Sequence, residues 1–415
     1  MRLKVLKNTV LLFVLIGISC GSGAKSEDKE QSSNEMLGHA QHDDATIIVG
    51  ANQTEAYLDI LKNKSVGIVA NQTSVIFKDT KTQDQYTHLV DSLLAKNINI
   101  KAVYAPEHGF RGTASAGELI KDGVDTKTNL PIISLYGNNK KPSAEQLEGI
   151  DVIIFDIQDV GARFYTYIST LHYVMEACAE LNIPVLILDR PNPNGHYTDG
   201  PILEPEHKSF VGMHPVPVVH GMTIGEYAKM INGEQWLNNG IQCELTIIPV
   251  KNYTHKTPYS LPIAPSPNLP SDKAINLYPS LCFFEGTNVS AGRGTPKPFE
   301  IYGSPYLDKE VYTFKFLPQP NAGAKYPKHE GMLCFGEDLS GKDHLSRLDL
   351  NYLIEAYNNT IDKPIFFNDF FTKLAGTTEL RKQIENKLTA YEIKKTWVRS
   401  LKAYDEMRKP YIIYN

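Results

Sequence analysis

The sequence predicts an α/β protein built on a doubly wound parallel sheet. Runs of strand length recur at residues 66–70, 100–105, 132–135, 152–157, 185–188 and 245–250. Valine and isoleucine dominate them, and several are apolar on both faces, as in strands buried under helices on either side. Helical stretches lie between them at 88–96, 143–147, 166–181 and 223–237. Alternation of this kind means parallel strands joined by right-handed crossovers.

Local signals support each element. Ser143 with Gln146, and Thr223 with Glu226, have the spacing of capping boxes at helix starts. Around 251–280 the texture changes, because Pro258, Pro262, Pro265, Pro267, Pro270 and Pro279 punctuate an irregular stretch. Beyond it come Gly/Pro-rich loops to about residue 330, then helices near 349–359 and 377–389. The expected organisation is a sheet domain over 46–280 and a smaller C-terminal α+β domain over 281–415.

Composition bounds the function. The chain has 415 residues, 42% hydrophobic and 21% charged, enough to bury a core. That excludes a disordered chain, a collagen-like chain and a coiled coil. A net charge of −5 without long basic runs argues against general nucleic-acid binding.

The first residues read as an address. Arg2, Lys4 and Lys7 precede an apolar run over 10–18 that ends at Ser19-Cys20. The run is too short to span a bilayer comfortably and reads as an export signal over 1–19. Gly17-Ile18-Ser19-Cys20 resembles a bacterial lipoprotein box, with Gly17 in place of the usual Leu. Cys20 is then the lipidated first residue, and 20–45 is a polar tether. The expected location is the cell envelope, periplasm or outer membrane, held to the membrane by lipid. Cys178, Cys243, Cys282 and Cys334 remain. They read as buried thiols, with one disulfide open to them in an oxidising compartment. No Cys/His set has zinc-finger spacing, and no metal site is expected.

In an open parallel sheet, ligands bind beyond the C-terminal ends of the strands. Asn71-Gln72-Thr73 follow the first run, and Pro106-Glu107-His108-Gly109-Phe110-Arg111-Gly112 the second. The fourth run holds Asp156 and leads into Gln158, Asp159, Arg163 and Tyr165; Asp189-Arg190-Pro191-Asn192 follow the fifth. These ends converge on one polar crevice. Glu107 and His108, between Pro and Gly, suit a site better than a plain loop. Asp156 sits inside an apolar run, where a carboxylate belongs to the site or is paired to hold a loop. Asp159 caps the next helix or bonds Arg163. Arg163 and Tyr165 line the site or pack. Asp189-Arg190 reads as an internal ion pair.

A second cluster, 285–295, contains Glu285, Asn288 and Arg293 among glycines that permit close backbone approach. His220 and Asn268 stand in loops able to point the same way. GxxxxGK[ST], a strand-linked GxGxxG, HExxH and GxSxG are absent, which argues against nucleotide, zinc-protease and α/β-hydrolase readings. No cofactor and no nucleotide are expected. A cleft rich in carboxylates, amides and aromatics suits a sugar, and paired carboxylates serve glycoside hydrolysis.

The same segments carry a family resemblance. Asn71-Gln72-Thr73, Pro106-Glu107-His108-Gly109, the stretch from Asp156 to Tyr167, Asp189-Arg190-Pro191-Asn192-Pro193, His220-Gly221-Met222-Thr223, Pro265-Ser266-Pro267-Asn268 and Glu285-Gly286-Thr287-Asn288 resemble the exo-β-N-acetylmuramidases of the NamZ type. The likeness covers about residues 46–415, with Leu269 where Met is expected. It implies a Rossmann-like domain, a smaller C-terminal domain and an active site in the cleft between them. It further implies release of terminal N-acetylmuramic acid from peptidoglycan-derived muropeptides or disaccharides. Glu107 takes the position of the family's proposed catalytic glutamate, with His108 beside it. Asp156, Asp159 and Glu285 are the candidates for its partner.

Expected substrate contacts are Asn71, Arg111, Gln158, Asp159, Arg163, Tyr165, Asn192, His220, Asn268, Asn288 and Arg293. The lactyl carboxylate of N-acetylmuramic acid calls for a cation, and Arg111, Arg163 and Arg293 are the candidates. The competing reading is a non-catalytic glycan-binding lipoprotein, with the same lining but no carboxylate beside the scissile bond.

Overall fold

The computed structural model describes residues 46–111 and 122–415. The export signal, Cys20, the tether and Gly112 lie outside the described residues. α1 (Thr54–Leu61) precedes β1 (Ser65–Ala70). A hairpin of β2 (Val75–Phe77) and β3 (Tyr86–His88) leads through α2 (Leu89–Leu94) to β4 (Asn99–Ala105). Then come β5 (Gly123–Val124), β6 (Pro131–Ser134), β7 (Val152–Asp156), α3 (Tyr167–Glu180), β8 (Val185–Leu188), α4 (Ile224–Gly233) and β9 (Leu245–Ile248).

The sheet runs β5-β6-β4-β1-β7-β8-β9. Its strands are parallel except for the β5 edge. The parallel strands stand third, second, first, fourth, fifth and sixth in chain order, which is the Rossmann arrangement. The order reverses between β1 and β7, and a crevice opens beyond their C-terminal ends.

Strand period explains why the runs read as apolar throughout. Val66 and Ile68 of β1, Val152 and Ile154 of β7, and Leu186 and Leu188 of β8 enter one core. Their neighbours Val69, Ile153, Phe155, Val185 and Ile187 enter the other. Both faces are covered, so neither needs polar side chains.

The C-terminal part follows α5 (Asp272–Leu281). It contains a three-stranded antiparallel sheet, β10 (Ile301–Ser304), β11 (Phe314–Phe316) and β12 (Cys334–Asp338), ordered β10-β12-β11. Its helices are α6 (Asn351–Asn358), α7 (Phe370–Ala375), α8 (Glu379–Glu385) and α9 (Ala390–Arg408). The core beneath Phe155 and Ile187 continues into Phe371, Trp397 and Tyr404, so both parts share apolar packing.

Besides α1, the β2–β3 hairpin and α7, which the sequence reading did not name, three elements differ from expectation. α5 lies inside the stretch read as irregular, with Pro279 in its last turns. Proline there leaves the Ile275 carbonyl without its helical donor. Asn194 Nδ2 replaces that donor at 3.1 Å. The stretch at 143–147 is one tight turn, Glu145–Leu147, although Ser143 and Gln146 do exchange the reciprocal bonds of a capping box. α9 is the third; a strongly polar surface hides its stripe of Ile393, Trp397 and Tyr404. Cys178, Cys243, Cys282 and Cys334 are free and buried. Among the described residues, no helix is long and apolar enough to cross a membrane.

Candidate active site

β4 delivers Glu107 to the crevice. Past Ala105 the chain turns through two successive left-handed residues, His108 (φ 71°) and Gly109 (φ 76°). Gly109 adopts this freely; His108 does so at a cost, and such strain concentrates where a side chain must be aimed. Glu107 Oε1 accepts from Tyr136 Oη at 3.1 Å, and Oε2 accepts from Thr166 Oγ1 at 2.8 Å. Burial and the nearby Glu107 charge push the Tyr136 hydroxyl up, so it stays a donor. Tyr167 Oη donates to the Glu107 carbonyl at 3.4 Å and accepts from Asn71 Nδ2 at 2.9 Å. Three elements, β4, the end of β6 and the start of α3, therefore fix one carboxyl group.

Glu107 faces a cavity of about 320 Å³. Its far wall comes from the C-terminal part. Glu285 lies in the turn that ends α5, and Arg293 Nε stands 2.9 Å from Glu285 Oε1. Burial works against the Arg293 charge, but Glu285 restores it and the guanidinium is held above its ordinary pKa. Arg293 also covers the Phe299 ring, 5.4 Å from its centroid. Phe164, Tyr165 and Tyr278 pack edge to face along another wall. Tyr165 Oη is anchored on the Pro265 carbonyl at 2.8 Å, and Asn268 Nδ2 on Gly323 at 2.7 Å. Two carboxylates, a cation, the Asn268 amide and ring faces thus surround a space of monosaccharide size.

Comparison with known proteins gives the family. Family models for the exo-β-N-acetylmuramidase NamZ match the N-terminal region over residues 66–273 and the C-terminal region over 276–414. The chain belongs to the NamZ family. A relative in Bacillus subtilis (strain 168), the peptidoglycan β-N-acetylmuramidase NamZ, is 38% identical over 377 residues. That match covers 86% of this chain and 89% of the relative. Two crystal structures of DUF1343 family proteins from Bacteroides fragilis NCTC 9343 share the fold. One has TM-score 0.81 at 48% identity, the other 0.74 at 26%. Each match covers 89% of this chain and 99% of that protein.

In this NamZ-family chain, the expected residues divide into two groups. Glu107, His108, Tyr165, Asn268, Glu285 and Arg293 line the cavity. The others lie outside its lining. Asp156 is fully buried and bidentate with Arg190, at 2.6 and 2.9 Å, so it does not serve as the second catalytic group. Arg190 therefore pairs with Asp156, and not with Asp189. Asp189 instead accepts from Thr223, Gly225 and Tyr414, and burial raises its pKa to about 6.

Arg163 is also a correction. It is fully buried and donates to the carbonyls of Pro201, Val216, Leu374 and Ala375 at 2.7–2.9 Å. Those bonds direct its guanidinium away from any ligand. Arg111 grips Asp125 and reaches Asp91, and it holds the Asp125 carboxyl well below the usual range.

Asp159 takes the Gly161 N–H and faces His220 at 3.5 Å; both are buried behind the wall. Gln158 Nε2 is spent on the Pro191 and Asp159 carbonyls, and Asn192 Nδ2 on Met222. Gly161 (φ 76°) packs so closely on Asn192 that a Cβ would run into its amide. Asn71 orders its own turn through Thr73 and steadies Tyr167. Asn288 belongs to the Glu285–Arg293 loop but not to the cavity lining, and its side-chain amide is buried without a partner.

Tyr136 and Thr166 were not anticipated. Tyr136 ends the third parallel strand, so the strand-end rule applied to β6 points to it. Thr166 precedes α3 and gave no polar signal beyond its place in the motif.

Proposed function

We propose that this protein is a glycoside hydrolase that releases terminal N-acetylmuramic acid from the non-reducing end of peptidoglycan fragments. The seat of Glu107 carries the reading: one carboxyl group, oriented by two hydroxyls, opens onto a sugar-sized cavity with an arginine opposite. Glu107 protonates the glycosidic oxygen as the bond breaks. Glu285 is the remaining carboxylate of the lining for the second role, and Arg293 holds it in place. Arg293 also reads the lactyl group, whose oxygens accept from a guanidinium as free acid or as amide. The edge-to-face aromatic wall covers the apolar face of the pyranose.

Cys20 carries a lipid, and the tether lets the enzyme work in the envelope, where peptidoglycan is found. The deciding assay is hydrolysis of 4-nitrophenyl β-N-acetylmuramide and of a muramic-acid-terminated disaccharide. Release of N-acetylmuramic acid from both is expected. Tight binding without turnover would replace the enzyme by a glycan-binding protein.

A further inference from the structure

The wall opposite Glu107 is carried by one stretch of chain, 284–293, with Glu285 near its start and Arg293 at its end. One edge of this loop is tied to the residues around the start of α7. Asn368 donates its N–H to the Gly286 carbonyl at 3.0 Å, and Asn288 donates its own to Phe366 at 2.8 Å. Gly286 lies so close to Phe371 that a Cβ would strike its backbone. The other edge is held by Pro327-Lys328-His329, between β11 and β12. Lys328 Nζ donates to the carbonyls of Phe284, Thr287 and Val289 at 2.8, 2.6 and 3.0 Å. His329, a left-handed residue (φ 60°), donates from Nε2 to the Asn288 carbonyl at 2.6 Å. Pro327 packs against Gly294, the residue after Arg293.

An ammonium has three N–H groups, and here all three are spent on main-chain carbonyls. Carbonyl oxygens aimed at one point repel each other, so this loop shape needs a cation at its centre. Bonds from a charged donor are also about twice as strong as neutral ones. Burial works against the Lys328 charge and lowers its pKa, while the Glu285 carboxylate acts the other way. Arg293 acts in the same direction as burial. Lys328, Glu285 and Arg293 therefore sense one another, although Lys328 lies outside the cavity lining. Its three acceptors straddle Glu285: Phe284 precedes it, and Thr287 and Val289 follow.

We propose that Lys328 is a positioning residue for the second catalytic group: its ammonium gathers the carbonyls on both sides of Glu285 and so aims that carboxylate into the cavity. The inference rests on the assignment of Glu285 to the second role. Lys328 acts through the main chain of the loop and touches no substrate. Its loss would let the carbonyls spread and Glu285 shift, and a displacement of about 1 Å at a reacting group can cost 10²-fold in rate.

The test is a double-mutant cycle on kcat/KM for a muramic-acid-terminated disaccharide. Wild type, Lys328→Met, Glu285→Gln and the double variant are measured, with circular dichroism to confirm folding. Methionine keeps the length of the side chain and removes the charge and the donors. Lys328→Met is expected to lower kcat/KM by about 10–100-fold. In the Glu285→Gln background the same change should cost less than about threefold, because a residue that acts through Glu285 has nothing left to position. A residue that only supports the fold would cost the same in both backgrounds. Losses that multiply, or wild-type activity in Lys328→Met, overturn the proposal. If Lys328→Met does not fold, Lys328→Gln takes its place in the cycle; its amide still reaches one or two carbonyls, so a smaller loss with the same dependence on Glu285 is expected. If Glu285→Gln alone is as active as wild type, the assignment of Glu285 fails and the proposal falls with it. If Glu285→Gln is costly and Lys328→Met is not, only the proposal falls. An inert wild type removes the glycosidase reading, and with it any reaction for Lys328 to serve.

Discussion

Thr166 Oγ1 stands 2.8 Å from Glu107 Oε2, so the residue that precedes α3 steadies a carboxyl group carried by the turn after β4. With Tyr136 on the other oxygen, Glu107 is oriented by two elements that flank it in space and not in sequence. A proton donor needs this arrangement, because the proton must leave along one direction.

Glu107→Gln keeps the shape and one of the two accepted hydrogen bonds but has no acidic proton to give. Turnover of a natural disaccharide should fall by about 10²–10⁴-fold. The loss should be much smaller on the 4-nitrophenyl substrate, whose leaving group is already acidic. Equal losses on both substrates would assign Glu107 another role and pass the acid to Glu285.

Thr166→Val and Tyr136→Phe each delete one donor to Glu107. Each should lower kcat by about 2–10-fold, the value of a hydrogen bond between neutral groups, and leave KM nearly unchanged. Steady-state kinetics on the disaccharide checks this. A change in KM alone would make these residues sugar contacts.

The two arginines should separate by phenotype. Arg293→Ala should cost a few kcal/mol of binding and erase the preference for N-acetylmuramic acid over N-acetylglucosamine. Arg163→Met should leave that preference intact in whatever protein folds. It should destabilise by about 3–5 kcal/mol, since its buried carbonyl acceptors are stranded. Substrate competition and denaturant unfolding read the two effects independently.

Stability should fall on acidification through His88. Burial is the main cause of its depressed pKa, lowered to about 4, with the nearby Arg111 acting in the same direction. Its Nδ1 accepts the Val90 N–H at the start of α2, a bond that protonation breaks. A depressed histidine gives stability that is complete above the unfolded value near 6.5. It is lost as pH falls toward 4, by up to about 3 kcal/mol. Unfolding at pH 7.5 and pH 5 should show this loss in wild type and a smaller one in His88→Asn, which caps without titrating.

Cys20→Ala should move the protein from the membrane to the soluble fraction. Fractionation with detergent release is the measurement, and equal membrane retention of the variant would remove the lipid anchor from the proposal.

Much of this was legible in sequence for one physical reason: a strand buried on both faces reads as an uninterrupted apolar run. β1, β7 and β8 announced themselves that way, β4 did so only beyond exposed Lys101, and their order placed Glu107 at the crevice. Polar residues at strand ends were harder to sort. Asp156 read as a site residue or as a paired carboxylate and Arg190 as the partner of Asp189, but Asp156 and Arg190 complete each other's charge at the end of the sheet. A one-dimensional pattern does not show which carboxylate has found its cation. α5 was hidden by Pro279, whose cost is met by Asn194, distant in sequence. Glu285 and Arg293 were visible, while their separation from Asn288 depended on the path of one loop.

The Arg163 clamp bears on how this protein could be taken apart. Two of its four acceptors, Leu374 and Ala375, belong to α7, 211 and 212 residues further along the chain. A fragment that stopped after β9 would keep the guanidinium and lose half of what neutralises its burial. A chimera with a C-terminal part borrowed from a relative would succeed only if the donor presented carbonyls at the same two points. Both parts should therefore be exchanged as one piece, with workable chimera junctions outside the segment from Arg163 to Ala375.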